Sequence, residues 1–305
     1  MSSVLVEVAD PTLFSTLNPP LCTKTMKTET DALRILACQL DIPLTRTALE
    51  RDQHLQASTG RVADALSKQE ADIVVLPELS SIEYSRSAFE QLDQLAEPLD
   101  GPSFQHWAQI AKRFSTHVVF GFARRAEDGF RICMAVIDTE GLLVGYYDKM
   151  QLAQFGASME KEYFVAGDGL WYFEKTGFRI APIICADIRT PELIRTLVVN
   201  NSVDFILHCG AYFRDDSFYS WHSFAMTRAI ENQIFFLSLN RAGSDYGNSL
   251  MCYPWNDTSR QPIHFDEKRE DLKWMTVDHS EIKSVREQYP FLADRRNQYA
   301  LINVV

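Results

Sequence analysis

The sequence has no long apolar run and no excess of basic charge. No segment approaches the roughly 20 consecutive apolar residues of a membrane span, so a transmembrane helix is not expected. The formal net charge is −11, which argues against nucleic acid and anionic membranes as partners, because both need a basic face. The first residues, MSSVLVEVADPTLF, lack a basic start and a long apolar stretch, and they predict no signal peptide.

Motifs for holding a metal are also missing. The seven histidines show no H-x-x-x-H or H-E-x-x-H spacing, so neither a metal nor another cofactor is expected. The six cysteines form no C-x-x-C pair, and at least four of them lie in apolar, strand-like runs. That usage is typical of a reduced protein rather than a disulfide framework, and it predicts a cytoplasmic location. The cysteines are Cys22, Cys38, Cys133, Cys185, Cys209 and Cys252.

What the sequence does contain is an ordinary globular composition with alternating strands and helices. The chain has 305 residues, of which 46% are hydrophobic and 23% charged, enough for a large core. Residues 1–32 show little periodicity and are interpreted as an N-terminal extension, whereas 33–305 are interpreted as one domain. Strand–helix units mixed with hairpins at 131–149 and 170–185 predict an α/β fold with mixed sheets.

Three chemically active side chains end three of the predicted strands. Glu78 ends the apolar strand DIVVLPE, Lys149 ends LLVGYYDK, and Cys185 ends FRIAPIIC. Taken singly, a strand-end acid or lysine is usually solvated and a lone cysteine is usually a core residue. Sites in α/β sheets, however, form beyond the carboxyl ends of strands, so an acid, an amine and a thiol there favour a shared site.

The order and surroundings of these residues resemble the nitrilase superfamily of carbon–nitrogen hydrolases. The resemblance rests on LPEL around Glu78, YDKMQL around Lys149 and ICADIRTPEL around Cys185. The segments MEKEYFVAGD (159–168), TRAIENQ (227–233) and NRAG (240–243) reinforce it, so that it covers roughly residues 33–300. It implies a four-layer α-β-β-α sandwich with two mixed sheets.

The resemblance also implies a role for each residue. Cys185 is then the nucleophile, Glu78 the base that activates it, and Lys149 an oxyanion donor together with the backbone N–H of Ala186. A second glutamate that orients substrate and lysine is expected at Glu160. Substrate-binding roles are expected for Ala186 and for Tyr212, which lies in the loop 210–220. The nearby Glu162 is expected to be a solvated acid.

The neighbouring charged residues are expected to be structural. Asp187 and Arg189 are predicted to fix the turn that presents Cys185, and Arg228 and Glu231 to form an ion pair on a helix. Ala186 stands where family members often carry an aromatic or acidic residue. Cys-Ala-Asp differs from the Cys-Trp-Glu of nitrilases, so an amide or N-carbamoyl substrate is favoured over a nitrile.

Other functions remain open at this point. Nitrile hydrolysis or acyl transfer could use the same three residues, and a binding protein could keep the fold without catalysis. A papain-like hydrolase would instead pair Cys185 with His208 or His222. For assembly, the resemblance implies a homodimer, or a larger oligomer built from it, through helices at about 191–199 and 217–231. Each helix carries more large apolar residues than one sheet-facing stripe requires, although some of them must face the sheet, and the surplus is expected to pack across a twofold axis. These residues are Ile194, Leu197, Val198, Phe218, Trp221 and Phe224.

Overall fold

The computed structural model describes residues 32–296 and 298–301. Of the expected N-terminal extension, 1–32, only Ala32 is among the described residues. The described strands, in chain order, are β1 (Ala32–Gln39), β2 (Ile73–Val75), β3 (His117–Ala126), β4 (Gly129–Ile137), β5 (Leu143–Asp148), β6 (Phe173–Lys175), β7 (Phe178–Ile184), β8 (Phe205–Cys209), β9 (Phe235–Leu239), β10 (Leu250–Cys252), β11 (Ile263–His264) and β12 (Asp271–Asp278).

The helices lie mainly between the parallel strands. The described α-helices are α1 (Ala48–Leu66), α2 (Arg86–Phe89), α3 (Leu92–Leu95), α4 (Pro102–Phe114), α5 (Pro191–Asn201), α6 (Phe218–Asn232), α7 (His279–Gln288) and α8 (Phe291–Asp294). Short 3-10 helices cover Glu160–Glu162 and Cys185–Arg189. Among the described residues, no helix combines the length and the apolar character needed to cross a bilayer.

Two six-stranded mixed sheets form the centre of the fold. The first has the order β12-β1-β2-β3-β4-β5, with β1, β2 and β3 parallel. The second has the order β11-β10-β9-β8-β7-β6, with β7, β8 and β9 parallel. Strands β1 and β4 of the first sheet contact β9 and β7 of the second, so the sheets lie face to face.

The alternation of side chains along β1 shows how the layers are built. Ile35 and Ala37 point into the core shared with the second sheet, whereas Leu36 and Cys38 point into a core shared with α1 and α4. Successive side chains of a strand face opposite sides, and both sides of β1 are buried, which explains its near-continuous apolar sequence. Since α5 and α6 cover the second sheet in the same way, the predicted four-layer α-β-β-α sandwich is confirmed.

Local sequence signals explain where the main helices begin. Thr47 caps α1 in a capping box with Glu50, in which each side chain accepts a hydrogen bond from the other residue's backbone. Pro102 opens α4 at the first helical position, where its missing N–H costs nothing.

One expectation about the helix surfaces is wrong. Part of this set of six large apolar residues was expected to remain exposed, but five of them are buried within the chain itself and Phe224 is half-buried. The reason is that α5 and α6 pack against each other, the second sheet and the turn after β7, so they bury more than one stripe. These apolar side chains therefore pack within a single chain.

Candidate active site

Glu78 is presented by a close approach of two chain segments. It follows β2 after Pro77, and its side chain is fully buried. The segment Pro77–Leu79 passes directly over Gly121 of β3, where an added Cβ would collide with the backbone of all three residues. Gly121 therefore lets the Glu78 backbone lie against the sheet, and Leu79 with a φ of 47° turns the chain away.

Lys149 lies between two carboxylates. Its Nζ donates to Oε1 of Glu78 at 2.7 Å and to Oε1 of Glu160 at 2.6 Å. The side chains of all three residues are fully shielded from solvent. An ammonium has three protons, so one remains available after these two bonds.

Burial and charge set the protonation of this cluster. Burial, reinforced by the charge of Glu160 and opposed by Lys149, raises the pKa of Glu78 to about 7. Burial works against the charge of Lys149, but Glu160 and Glu78 together hold the pKa of its ammonium well above the usual value. Near neutral pH the lysine is therefore charged, whereas Glu78 can both accept and return a proton.

Glu160 is held by donors on both carboxylate oxygens. Besides Lys149, its Oε1 accepts a hydrogen bond from the hydroxyl of Tyr84 at 2.8 Å. Its Oε2 accepts one from the backbone N–H of Ala153 at 2.7 Å. This places Glu160 against the lysine as predicted, whereas Glu162 is exposed and pairs with Arg86 on the surface, also as predicted.

Cys185 begins the short 3-10 helix after β7 in a left-handed backbone conformation, with a φ of 44°. Asp187 fixes this turn, since its carboxylate accepts hydrogen bonds from the N–H of Ile184 at 2.9 Å and the N–H of Gln151 at 2.8 Å. It also accepts one from the hydroxyl of Tyr147 at 2.8 Å. Tyr147 and Gln151 flank Lys149, so Asp187 ties the turn of Cys185 to the strand that carries the lysine.

The thiol of Cys185 shares its surroundings with the charged cluster. Burial raises its pKa, Lys149 acts to lower it, and Glu78 and Glu160 raise it further. The N–H of Ala211 donates to Oε2 of Glu78 at 2.8 Å and also acts to lower the pKa of the Cys185 thiol. Cys185 is thus a neutral thiol at rest, next to a carboxylate that can take its proton.

A small cavity opens beside Cys185. Its volume is about 20 Å³, enough for a single water molecule. Both predicted substrate-binding residues, Ala186 and Tyr212, line it. Arg189 and Asp215 line it as well and are only partly buried.

Arg189 was expected to help fix the turn, but it has different neighbours. Its guanidinium lies 4.6 Å from the ring centroid of Phe155 and 5.5 Å from that of Phe224. Its Nε has no hydrogen-bond partner among the described residues. The guanidinium is therefore oriented by aromatic faces and keeps donor capacity beside the cavity.

The histidine alternatives do not fit the geometry. His208 Nε2 lies 2.9 Å from the backbone oxygen of Cys185 rather than bonding its sulfur. His222 bonds the carbonyl of Asn248 at 2.7 Å. The papain-like pairing is therefore wrong. Arg228 pairs with Glu231 at 2.8 Å and also donates to the carbonyl of Ile188, which confirms its structural role.

Several residues of the site escaped the sequence reasoning. The amides of Ala153 and Ala211 carry no sequence signal, because every residue has an N–H. Tyr84 was not predicted as part of the site, although its aromatic hydroxyl could have indicated a buried partner. Among the described residues, no cluster of three or more histidine, cysteine or acidic side chains is arranged to hold a metal ion.

The two-sheet fold thus carries a buried thiol, a buried ammonium and two buried carboxylates close to the ends of its strands. A family model for carbon-nitrogen hydrolases matches residues 34–287. The chain therefore belongs to the carbon–nitrogen hydrolase family, which confirms both the resemblance to the nitrilase superfamily and the predicted enzyme class.

Comparison with individual proteins supports this assignment. The chain is 33% identical over 233 residues to the 2-oxoglutaramate amidase of Bacillus subtilis, covering 74% of this chain and 85% of that protein. It matches Nit3 of Saccharomyces cerevisiae, a nitrilase-superfamily member, with a TM-score of 0.75 and 21% identity over 90% of this chain and all of that one.

A third match is a mutant of the amidase from Nesterenkonia sp. AN1, with a TM-score of 0.68 and 20% identity over 90% of this chain and 97% of that one. That structure shows covalent addition of the acetamide moiety of fluoroacetamide at the active site cysteine. These two structural matches confirm the fold.

Proposed function

We propose that this protein hydrolyses the C–N bond of a small amide with Cys185 as nucleophile, Glu78 as general base and Lys149 as oxyanion donor. The observation that carries the proposal is the buried ammonium of Lys149 between Glu78 and Glu160, whose charges all act on the buried thiol of Cys185. Buried charges are costly and persist where they are paired, and such clusters are typical of catalytic sites.

In the first half-reaction, the carboxylate of Glu78 takes the proton of the Cys185 thiol as the sulfur attacks the amide carbon. The carbonyl oxygen becomes negatively charged, and the third proton of Lys149 and the N–H of Ala186 stabilise it. Glu78 then returns the proton to the nitrogen, the C–N bond breaks, and ammonia or an amine leaves. The acyl group remains on Cys185 as a thioester.

In the second half-reaction, Glu78 removes a proton from a water molecule that attacks the thioester. The same donors stabilise the second oxyanion, and the sulfur leaves as the carboxylic acid forms. The thiol recovers its proton from Glu78, so the enzyme returns to its starting state. Glu160 orients Lys149 throughout, since it accepts from the lysine while Tyr84 and Ala153 hold it in place.

The substrate we favour is an amide that also carries an anionic group. The cavity at Cys185 has room for about one water, so the rest of a substrate must extend toward the half-buried Arg189. Its guanidinium has an unpartnered Nε and suits a carboxylate. The relative from Bacillus subtilis is named for an amide of this kind, 2-oxoglutaramate. N-carbamoyl compounds and nitriles are the alternatives.

Matched compounds separate these substrate classes. We expect ammonia release from glutaramate to exceed that from valeramide, which replaces the carboxylate by a methyl group. N-carbamoyl-β-alanine and 4-cyanobutyrate test the carbamoyl and nitrile alternatives at similar length. Arg189→Leu should raise KM for glutaramate by about ten- to hundredfold, because hydrogen bonds to charged groups contribute about 1.5–3 kcal/mol.

The controls for this test are the neutral amide and a second arginine. KM for valeramide should change little in Arg189→Leu, and Arg195→Leu on α5, outside this cavity, should behave like the wild type. Equal loss of glutaramate and valeramide turnover in Arg189→Leu would contradict a role for Arg189 in binding the anion. A wild type inactive on all four compounds would contradict the proposed function.

We also propose that the protein is a cytoplasmic homodimer, or a larger assembly built from that dimer. The five cysteines of the described region are all free and buried, as suits a reducing compartment. Exposed apolar side chains remain on α6 and on the segment beyond α7, where Tyr219 is 87% exposed and Tyr299 78%. Tyr299 and Phe291 line a groove together with Arg195 of α5 and Ile230 of α6.

A further inference from the structure

A chain of buried hydrogen bonds ends on the backbone carbonyl of the proposed nucleophile. The indole Nε1 of Trp221 lies 2.7 Å from Oγ of Ser238, and that Oγ lies 2.7 Å from Nδ1 of His208. His208 Nε2 lies 2.9 Å from the carbonyl oxygen of Cys185. Trp221, Ser238 and His208 are all completely buried, so water does not compete for these bonds.

The donors and acceptors of these side chains allow only one direction for this series of hydrogen bonds. An indole N–H can only donate, so Ser238 accepts from Trp221. The carbonyl oxygen of Cys185 can only accept, so Nε2 of the neutral imidazole must donate to it, and Nδ1 accepts the proton of Ser238. The imidazole proton is therefore on Nε2, which donates to the oxygen of Cys185. Burial lowers the pKa of His208 to about 3, which keeps the ring neutral and this arrangement intact.

A second donor reaches the same carbonyl oxygen. The hydroxyl of Tyr212 donates to it at 3.0 Å. The ring of Tyr212 stacks on Trp221 with centroids 4.6 Å apart and planes 7° from parallel. Both lone pairs of the Cys185 oxygen are thus occupied by donors from one packed cluster. These bonds offset the strain of a non-glycine residue at positive φ.

Holding this oxygen has a consequence for the next amide. The peptide between Cys185 and Ala186 is planar and trans, so its C=O and N–H point in opposite directions. Fixing the oxygen toward His208 and Tyr212 fixes the N–H of Ala186 on the other side. Ala186 lines the cavity, where the developing oxyanion would lie.

We propose that His208 is a positioning residue that aims the Ala186 N–H at the oxyanion by holding the carbonyl of Cys185. This inference rests on the proposed function. His208 transfers no proton to or from the substrate in this role, and Ser238 and Trp221 help to fix the tautomer of its imidazole. Loss of the His208 donor should weaken stabilisation of the transition state more than binding of the substrate.

Steady-state kinetics with glutaramate provide the first test. His208→Leu should lower kcat by about 10- to 100-fold, somewhat less than the effect of deleting an oxyanion donor outright, and KM should stay within about threefold. His208→Gln, whose amide can still donate to the Cys185 carbonyl, should recover most of the lost kcat. An unchanged kcat in His208→Leu, or no recovery in His208→Gln, would overturn the proposal.

Alkylation of Cys185 by iodoacetamide distinguishes the proposed role of His208 from a general loss of structure, which would change the alkylation rate as well. This displacement at a saturated carbon forms no oxyanion, so its rate in His208→Leu should stay within about threefold of the wild type. A parallel fall of alkylation and hydrolysis would show that His208 supports the sulfur instead, and would overturn the proposal. If His208→Leu does not fold, Ser238→Ala, which frees the tautomer, must show the same loss of kcat at constant KM.

Wild-type activity distinguishes a failure of the proposed function from a failure of the role proposed for His208. Wild-type protein that is inactive on glutaramate, valeramide, N-carbamoyl-β-alanine and 4-cyanobutyrate would refute the proposed function itself. An active wild type with an equally active His208→Leu variant would refute only the role of His208.

Discussion

At the scale of single residues, the site depends on Lys149, whose charge pairs with two buried carboxylates while the nearby thiol of Cys185 stays neutral. Two buried acids near a thiol would repel a thiolate, and the raised pKa of Cys185 reflects that repulsion together with burial. The proton therefore stays on sulfur until substrate is present. The proposed mechanism therefore has Glu78 activate the thiol during attack and does not need a preformed thiolate stabilised by the adjacent helix start.

The pH dependence of the reaction follows from Glu78. Its pKa is about 7, and the base must be the carboxylate, so kcat/KM should fall about tenfold per pH unit below that pKa. Above it, kcat/KM should level off because Glu78 is already ionised. The measurement is kcat/KM for glutaramate between pH 5 and about 8.5, the range that brackets this pKa.

A surface acid provides the control for this profile. Glu162→Gln removes an exposed carboxylate that pairs only with surface groups, and it should leave the acidic limb unchanged. A wild-type profile that stays flat down to about pH 5 would contradict Glu78 as the base.

At the scale of elements, the strand ends could be predicted well and the connections between them less well. Glu78, Lys149 and Cys185 each follow a strand that the sequence predicts, so their convergence was expected from sheet geometry and from the resemblance. The short strand β11 and the helix α7 were not predicted, since two residues or a weakly apolar helix give little periodic signal. The hydrogen-bond chain to the Cys185 carbonyl joins distant strands and helices, and no sequence spacing reports such contacts.

Gly121 allows the segment that carries Glu78 to pack against β3, so its substitution should lower both the stability and the activity of the protein. In Gly121→Ala the new Cβ would meet the backbone of residues 77–79, which has no flexible end to move aside. We expect a loss of stability of about 1–3 kcal/mol from overpacking and a clear fall in kcat from displaced Glu78. Thermal or urea unfolding and steady-state kinetics measure the two effects.

Gly60 supplies the matched glycine control. It lies on the exposed face of α1, and a Cβ there meets nothing within 4 Å. Gly60→Ala should therefore raise stability by about 0.5–1 kcal/mol without changing kcat. Equal behaviour of the two variants would mean that the contact at Gly121 does not position Glu78.

At the scale of the whole molecule, the expected apolar surplus on α5 and α6 proved to be core. Helix patterns show which residues are apolar, but not how many neighbours a helix must cover. Here α5 and α6 bury large side chains against each other as well as against the sheet. An interface through these helices must therefore use their remaining exposed residues and the segment beyond α7.

Light scattering tests the proposed assembly. We expect twice the monomer mass at micromolar concentration for the wild type. Tyr219→Asp should shift the mass toward the monomer, because it replaces a large exposed apolar side chain of α6 with a charged one. Leu49→Asp on α1, where Leu49 is 67% exposed, is the matched control and should leave the mass unchanged. A monomer mass for the wild type would refute the dimer.

The most direct test of the central claim is to trap the acyl group on Cys185. Wild-type protein mixed with glutaramate is quenched in acid within the first turnovers, digested and analysed by mass spectrometry. We expect one glutaryl group on the peptide that contains Cys185, and hydroxylamine should release it because it is held as a thioester. Cys185→Ala should fold normally, carry no acyl group and release no ammonia. An acyl group on another residue, or ammonia release by Cys185→Ala, would contradict the assignment of Cys185 as the nucleophile.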